Sequence, residues 1–349
     1  MKAARFDYVR PGDVGEALAA LAKAEGSAKL LAGGQSLGPM LNLRLARPSL
    51  LVDVSRLESL ARVDDIGSAF RIGACVTHSR IEDMRGRLAG GEMLCEVAAG
   101  IAYRAIRNRG TIGGSIAHAD PAADWLLALA ALGAMINIRA IGGVRSIPVE
   151  QFVLGAFSTA LRDNEIIETI DVPKLSRAGR YGYYKFCRKT GDFAEASAAA
   201  VFDPENRSAR IYLGAVRPVP VSLGAIASRV AREGKSAASG EALARAIAGP
   251  PDPEAVAALS ASLARPIAPP TTNRSDRAAA TARRRWLRPA ASRSTGTSKG
   301  PSSRRSVIGT PSGTFDQWFA DRIVPDPISR PRAVRRRDGR AWPSHARRR

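Results

Sequence analysis

Two glycine pairs, each followed by a serine, are the feature of this 349-residue sequence that points most directly to chemistry. The first is Gly33-Gly34, within AGGQS, and the second is Gly113-Gly114, within TIGGS. Glycine adopts positive φ without a Cβ clash, so successive backbone N–H groups in such a bend can turn toward one point and attract an anion. A diphosphate is a common biological anion at such sites. We therefore expect the two bends to hold one diphosphate from two sides.

Neither pair belongs to a more widely known phosphate-binding pattern. The sequence contains no G-x-G-x-x-G and no G-x-x-x-x-G-K-[ST], so it does not support a Rossmann dinucleotide site or a P-loop. A single Gly-Gly pair is often only a turn. The recurrence of the pair with a trailing serine favours a ligand site over two unrelated turns.

Four motifs, taken in order, resemble the FAD-binding medium subunit of the molybdenum hydroxylases. That family includes the carbon monoxide dehydrogenase medium subunit and the flavin part of xanthine dehydrogenase. The first three motifs are AGGQS at 32–36, TIGGS at 111–115 and ADPAAD at 119–124. The fourth runs from Tyr184-Lys185 through Arg188 to the GDFA segment at 191–194, where Phe193 replaces the tyrosine that is frequent in the family. The resemblance covers roughly residues 1–265.

The resemblance implies that FAD binds at the two glycine segments. It implies a ligand hydrogen bond at Asp124, near the adenine or ribose, and a cation near the flavin ring at Lys185. It also implies apolar walls of the ring pocket at Ile112 and Leu161. No catalytic residue and no metal ligand is expected on this chain. The expected cofactor-binding residues are Ala32, Gly33, Gly34, Gln35, Ser36, Thr111, Ile112, Gly113, Gly114, Ser115, Asp124, Leu161 and Lys185.

Ordinary structural roles remain open for the two charged residues of this set. Asp124 begins an apolar helical run, a position at which aspartate commonly caps the helix. Lys185 lies in a strand-like aromatic run, where a lysine commonly lays its stem along the surface and keeps its charge in water.

The resemblance implies an oxidoreductase whose chemistry belongs to the flavin, while the protein binds and positions it. Electrons would come from a small iron–sulfur subunit and pass to an external acceptor such as NAD, a quinone or oxygen. Hydroxylation would occur on a large molybdenum subunit, in a dimer of heterotrimers. Three cysteines, Cys75, Cys95 and Cys187, cannot alone ligate a four-cysteine cluster. We interpret them as buried thiols of a cytoplasmic protein.

Two other functions are weighed against this one. A stand-alone flavin oxidoreductase of the vanillyl-alcohol-oxidase type would reduce its flavin with substrate, but the chain after Ile170 leaves no room for a large substrate-cap domain. A nucleic-acid-binding protein is suggested by the net charge of +21. Residues 271–349 hold 20 Lys and Arg against 5 Asp and Glu, whereas the body carries only +6. A basic tail of this kind binds phosphate backbones without specificity.

The tail also lacks the apolar residues that a core needs. Leu, Ile, Val and Phe make up 9 of the 79 residues from Thr271 onward, which is too few to fold. We interpret residues 269–349 as disordered, or as an out-of-frame or otherwise non-native extension.

The pattern of apolar runs and turns predicts an α+β protein. By resemblance, residues 1–176 form a two-part FAD-binding domain of the vanillyl-alcohol-oxidase/PCMH type, divided at about residue 55, and residues 177–268 form a smaller α+β domain. No membrane span and no secretory signal is expected. Strands are predicted at 28–32, 50–54, 60–63, 69–72, 134–139, 145–149, 166–172, 181–187, 194–202 and 210–216. Helices are predicted at 14–24, 77–84, 92–102, 124–132, 225–232, 242–248 and 253–264.

Overall fold

Three larger β-sheets and the helices around them make up residues 2–233, the part of the chain that the computed structural model describes. The helices predicted at 242–248 and 253–264, and the basic tail, lie outside the described residues. Within residues 2–233, no helix has the length and apolar character needed to cross a membrane.

The first sheet is a small parallel one near the N-terminus, with strand order β1-β3-β2. Helix α1 begins where predicted, because the Asp13 side chain accepts a hydrogen bond from the Glu16 N–H at 2.8 Å. Its buried face, which includes Leu18 and Leu21, packs in one cluster with Val52. The elements are β1 (Asp7–Val9), α1 (Val14–Lys23), β2 (Ala28–Leu31), α2 (Leu37–Asn42) and β3 (Leu50–Asp53). The short helix α2 has no counterpart among the predicted helices.

The second sheet has five antiparallel strands in the order β4-β5-β10-β6-β7. A 3₁₀ turn, Glu58–Ala61, precedes its first hairpin. A further two-stranded hairpin, β8-β9, was not predicted. The elements are β4 (Val63–Asp65), β5 (Ala69–Gly73), α3 (His78–Asp83), α4 (Glu92–Ala99), α5 (Arg104–Arg107), α6 (Ile112–His118), α7 (Asp124–Leu132), β6 (Met135–Ala140), β7 (Gly143–Pro148), α8 (Val149–Phe152), β8 (Val153–Gly155), β9 (Ser158–Thr159) and β10 (Ile166–Pro173).

The third sheet follows at the C-terminal end of the described chain and is antiparallel, with order β11-β12-β13-β14. One side of β12 and β13 packs against α9 and the other against α7. The elements are β11 (Arg180–Phe186), β12 (Ala196–Asp203), β13 (Ser208–Gly214), β14 (Val221–Ser222) and α9 (Gly224–Glu233).

Helix α7 lies between the second and third sheets, and each of its nine residues is buried. Its apolar side chains belong to one core cluster with Ile136 of β6 and Tyr212 of β13. Burying one large apolar side chain stabilises a fold by roughly 1.5–3 kcal/mol. This helix is therefore the main apolar connection between the two sheets.

The α+β prediction is confirmed, and so are most predicted strands, with ends moved by one or two residues. The predicted helix at 92–102 is wrong at its end, because α4 stops at Ala99 with Gly100 as its C-cap. The predicted burial of the cysteines is confirmed for Cys75 and Cys95, whereas Cys187 is only partly buried.

Candidate flavin site

The first glycine segment, residues 32–36, contacts the start of the second, which comprises residues 109–115, so the two segments meet as the sequence predicts. A Cβ placed on Gly33 would lie 2.2 Å from the backbone oxygen of Arg109 and 2.8 Å from the Cα of Gly110. Contact this close is possible only between bare backbones. Gly33 is needed for this approach rather than for a left-handed backbone, since only Gly34 of the first pair has positive φ, at +71°.

The first segment, residues 32–36, carries backbone donors that the protein itself does not use. Among the described residues, no acceptor receives a hydrogen bond from the N–H groups of Gly33, Gly34, Gln35 or Ser36. The Gln35 side chain folds back, and its Nε2 donates to the Gly33 oxygen at 3.1 Å. Unpaired backbone N–H groups in successive residues are suited to an anion.

The second pair differs from the prediction, because it lies in the first turn of α6 rather than in a left-handed bend. The Gly113 N–H donates to the Ala74 oxygen at 2.9 Å, and the Gly114 N–H donates to Thr111 Oγ1 at 3.1 Å. The Ser115 N–H donates to the Thr111 oxygen at 3.0 Å. These N–H groups are therefore used inside the protein. Gly113 instead allows close packing, since a Cβ there would lie 2.5 Å from the Cβ of Ala74.

A cleft of about 410 Å³ opens where the two segments meet. Of the thirteen predicted cofactor-binding residues, Ala32, Gly33 and Thr111 line it and the other ten do not. Ile112 is completely buried in the core. Sequence reasoning missed most of the other lining residues. They are Arg10, Asp53, Ser55, Arg56, Cys75, Thr77, Asn108 and Arg109. Arg109 ends a stretch with three arginines at 104–109, just before the second glycine pair, but no pattern in the sequence identified Arg10 or Arg56.

Asp53, an acidic residue in the cleft wall, is bonded by Tyr8 of β1 and by Arg10, which follows β1. The Tyr8 hydroxyl donates to the Asp53 carboxylate, and Arg10 lies 3.4 Å from the same carboxylate. Burial acts to raise the pKa of Asp53, but hydrogen bonds from Ser55 and Tyr8 outweigh it and place that pKa below its ordinary value. Asp53 is therefore an ionised partner that offsets the charge of Arg10.

Asp124 and Lys185 form a buried ion pair between α7 and β11. The Lys185 Nζ lies 3.0 Å from Asp124 Oδ2 and donates to the Gly100 oxygen at 3.3 Å. The Tyr183 hydroxyl donates to Asp124 Oδ1 at 2.5 Å. The side chains of Lys185 and Asp124 are only 10% and 6% exposed. The surface-lysine interpretation is therefore wrong.

The helix-cap interpretation of Asp124 is also wrong. Asp124 is the first residue of α7, Ala123 holds the cap position, and the Asp124 carboxylate accepts from β11 instead. Burial raises the pKa of Asp124, although Lys185 and Tyr183 act in the opposite direction. Burial and the nearby Asp124 raise the pKa of Tyr183 well above its ordinary value, so the phenol stays a donor. Neither Asp124, Lys185 nor Leu161 lines the cleft described above.

The buried residue His78 is hydrogen-bonded to the second glycine segment. The backbone N–H of His78 donates to the Gly110 oxygen at 2.9 Å, and Trp125 Nε1 of α7 donates to Nδ1 of the His78 ring at 3.1 Å. Burial, with a smaller effect of Arg107, lowers the pKa of His78 to about 4. The ring is therefore neutral at physiological pH, as an acceptor for Trp125 must be.

We expect His78 to make the fold sensitive to acid. Its folded-state pKa of about 4 lies below the ordinary value of 6.5, so the unfolded chain binds more protons between these values. The free energy of unfolding should fall by up to about 3 kcal/mol as the pH drops through that window. Urea unfolding of the wild type and His78→Asn at pH 7 and pH 4.5 isolates this effect, because other groups titrate in both proteins. An equal loss in both proteins would show that His78 does not contribute.

Comparison with known proteins agrees with this geometry. The family model described as "FAD binding domain in molybdopterin dehydrogenase" matches residues 4–175. The chain is 40% identical over 201 residues to 6-hydroxypseudooxynicotine dehydrogenase complex subunit alpha of Paenarthrobacter nicotinovorans, covering 58% of this chain and 68% of that protein. It is 38% identical over 220 residues to the carbon monoxide dehydrogenase medium chain of Hydrogenophaga pseudoflava, covering 63% and 77% respectively.

A solved structure shows the same architecture. Carbon monoxide dehydrogenase from Hydrogenophaga pseudoflava, in a form lacking the Mo-pyranopterin moiety of its molybdenum cofactor, matches with a TM-score of 0.69 at 34% identity. The match covers 75% of this chain and 95% of that one. Sequence, fold and glycine segments thus agree, and the chain belongs to the family of FAD-binding medium subunits of molybdopterin-dependent dehydrogenases.

Proposed function

We propose that this oxidoreductase chain carries FAD as the electron-transfer subunit of a molybdenum hydroxylase complex. Electrons would enter from a small iron–sulfur subunit and leave to an external acceptor, either NAD, a quinone or oxygen. The observation that carries the proposal is the contact between the two glycine segments at the wall of one cleft.

The residues present fit a dinucleotide with a diphosphate. Four successive N–H groups, from Gly33 to Ser36, have no acceptor within the described chain, and Gly33 leaves no space for a side chain. Hydrogen bonds from such groups to a charged acceptor contribute about 1.5–3 kcal/mol each. When bound, FAD supplies the reversible uptake of electrons, and the protein supplies binding and orientation.

The chain's own residues divide this work between them. Residues 32–36 would bind the diphosphate through their N–H groups, and Ser36 and Ser115 would add hydroxyl donors. The internally bonded Gly113 and Gly114 would fix the opposite wall by packing on Ala74 and capping α6. Lys185 would act near the flavin ring only as part of its pair with Asp124, so its charge is already balanced.

The relatives' names support a role inside a larger assembly. They include a medium subunit of nicotine 6-hydroxylase, subunit beta of caffeine dehydrogenase and the medium chain of carbon monoxide dehydrogenase. Chains of one family therefore occur with very different substrates. This supports a substrate-selecting role for a partner, which we propose to be a large molybdenum subunit. We also propose a dimer of heterotrimers as the assembly.

The visible absorption spectrum of the purified chain tests the proposal. After addition of FAD and desalting, we expect flavin bands to remain with the protein at close to one flavin per chain. A folded chain that retains no flavin would contradict the proposal.

A second measurement separates this function from a stand-alone flavin oxidoreductase. Bound flavin should be reduced by dithionite but not by candidate substrates of the complex added to the isolated chain. Substrate-dependent bleaching without partner subunits would favour the stand-alone enzyme.

A further inference from the structure

Two exposed arginines in the cleft wall, Arg56 and Arg109, have no acidic partner within residues 2–233. Arg10 is offset by Asp53, the one acidic residue in the lining. Within residues 2–233, the guanidinium groups of Arg56 and Arg109 form no ion pair and no hydrogen bond with another protein group. The cleft therefore carries an excess of two positive charges.

These two arginines come from different parts of the fold. Arg56 follows β3 of the N-terminal parallel sheet, and Arg109 directly precedes Gly110 in the second glycine segment. The two parts touch at Gly33 and Arg109, which places the cations on the walls of the same cleft. A ligand held by both would therefore connect the N-terminal unit to the middle unit.

The excess charge matches one class of ligand. An internal diphosphate carries two negative charges, and arginine presents a planar set of donors that fits phosphate oxygens. The neutral ring and ribityl chain of a flavin carry no charge for these groups to recognise.

We propose that Arg56 and Arg109 bind the diphosphate and make the cleft select a dinucleotide over the uncharged riboflavin. This inference rests on the proposed function, because it takes FAD as the dinucleotide. Glycine N–H groups then set the position of the diphosphate, and the two arginines supply most of the preference for its charge.

Binding measurements on the full chain test this selection. Calorimetric titrations would use FAD, ADP-ribose, which has the same internal diphosphate without the flavin, and riboflavin. We expect Arg56→Gln and Arg109→Gln each to raise the Kd for FAD and ADP-ribose about tenfold, as the loss of a charge-assisted hydrogen bond implies. The Kd for riboflavin should not change. Arg87→Gln, an exposed arginine outside the cleft lining, is the matched control.

The salt dependence of Kd and the two arginine-to-lysine variants distinguish recognition of the diphosphate charge from a structural effect of the substitutions. The dependence of Kd on salt should weaken in both glutamine variants, because fewer charges contact the ligand. Arg56→Lys and Arg109→Lys should recover part of the lost affinity. Unchanged FAD and ADP-ribose affinity in folded glutamine variants would overturn the inference while leaving the proposed function intact. Arginine-dependent binding of ADP-ribose without any binding of FAD would instead overturn the proposed function.

Discussion

Lys185→Met should lower the free energy of unfolding by about 3–5 kcal/mol, the usual cost of leaving one member of a buried ion pair without its partner. Asp124 is the group left behind. Its carboxylate is almost fully buried and would keep the hydrogen bond from the Tyr183 hydroxyl at 2.5 Å but lose its charged partner. Methionine preserves the length of the lysine stem, so the loss reports the charge rather than a cavity. Urea unfolding at pH 7 measures it.

The pH dependence and a double variant make this prediction specific. Without Lys185 the pKa of Asp124 in the folded state rises further above 3.8, its ordinary pKa in the unfolded chain. At a pH between these two pKa values, Asp124 is protonated in the folded state and ionised in the unfolded state. The deficit should therefore be small below pH 3.8 and should grow as the pH rises. Asp124→Asn combined with Lys185→Met removes both charges and should recover most of the stability. A double variant that loses as much stability as Lys185→Met alone would show that the unpaired Asp124 charge is not the cause of the loss.

Gly33→Ala should weaken FAD binding by about ten- to a hundredfold, since overpacking a tight contact costs roughly 1–3 kcal/mol. The new methyl group would meet the Arg109 oxygen at 2.2 Å, and a backbone atom can yield only if the whole segment moves. The N–H groups of the first segment would then be displaced from the second wall of the cleft. Fluorescence titration with FAD measures the change.

Gly38→Ala is the matched control for this variant. Gly38 lies five residues later in α2, has no positive φ, and an added Cβ there would meet nothing within 4 Å. Its FAD affinity should equal that of the wild type. If Gly33→Ala also binds FAD normally while remaining folded, the contact between the two segments is not part of the site.

The start of helix α1 and the meeting of the two glycine segments could be predicted from the sequence. Both depend on short local patterns that few other structures would produce. Helix α1 was placed at 14–24 by its local pattern, and the repeated glycine pair implied that the two segments hold one ligand and therefore meet. The environment of Asp124 was not predictable, because its partners Tyr183 and Lys185 lie about 60 residues away on β11. The local pattern favours a helix cap at Asp124, but in the fold its carboxylate accepts hydrogen bonds from β11 instead.

The cleft arginines and the second glycine pair are further features that local sequence patterns could not predict. An unpaired arginine in a cleft has no sequence signature that distinguishes it from one on an ordinary surface, so Arg56 passed unnoticed. Gly113-Gly114 looked equivalent to Gly33-Gly34, but Thr111 caps a helix there and uses the N–H of Gly114. The same Gly-Gly pair can thus present free N–H donors in one segment and allow close backbone packing in another.

The complete burial of α7 has a consequence for how the chain can be divided. The helix belongs to the segment that the family model matches, yet one of its sides is covered by β12 and β13, which follow that segment. Separating the chain after residue 176 would expose this side to water and release Asp124 from β11. We therefore expect that the chain up to residue 176 does not fold autonomously, and that the middle and C-terminal sheets melt as one cooperative unit.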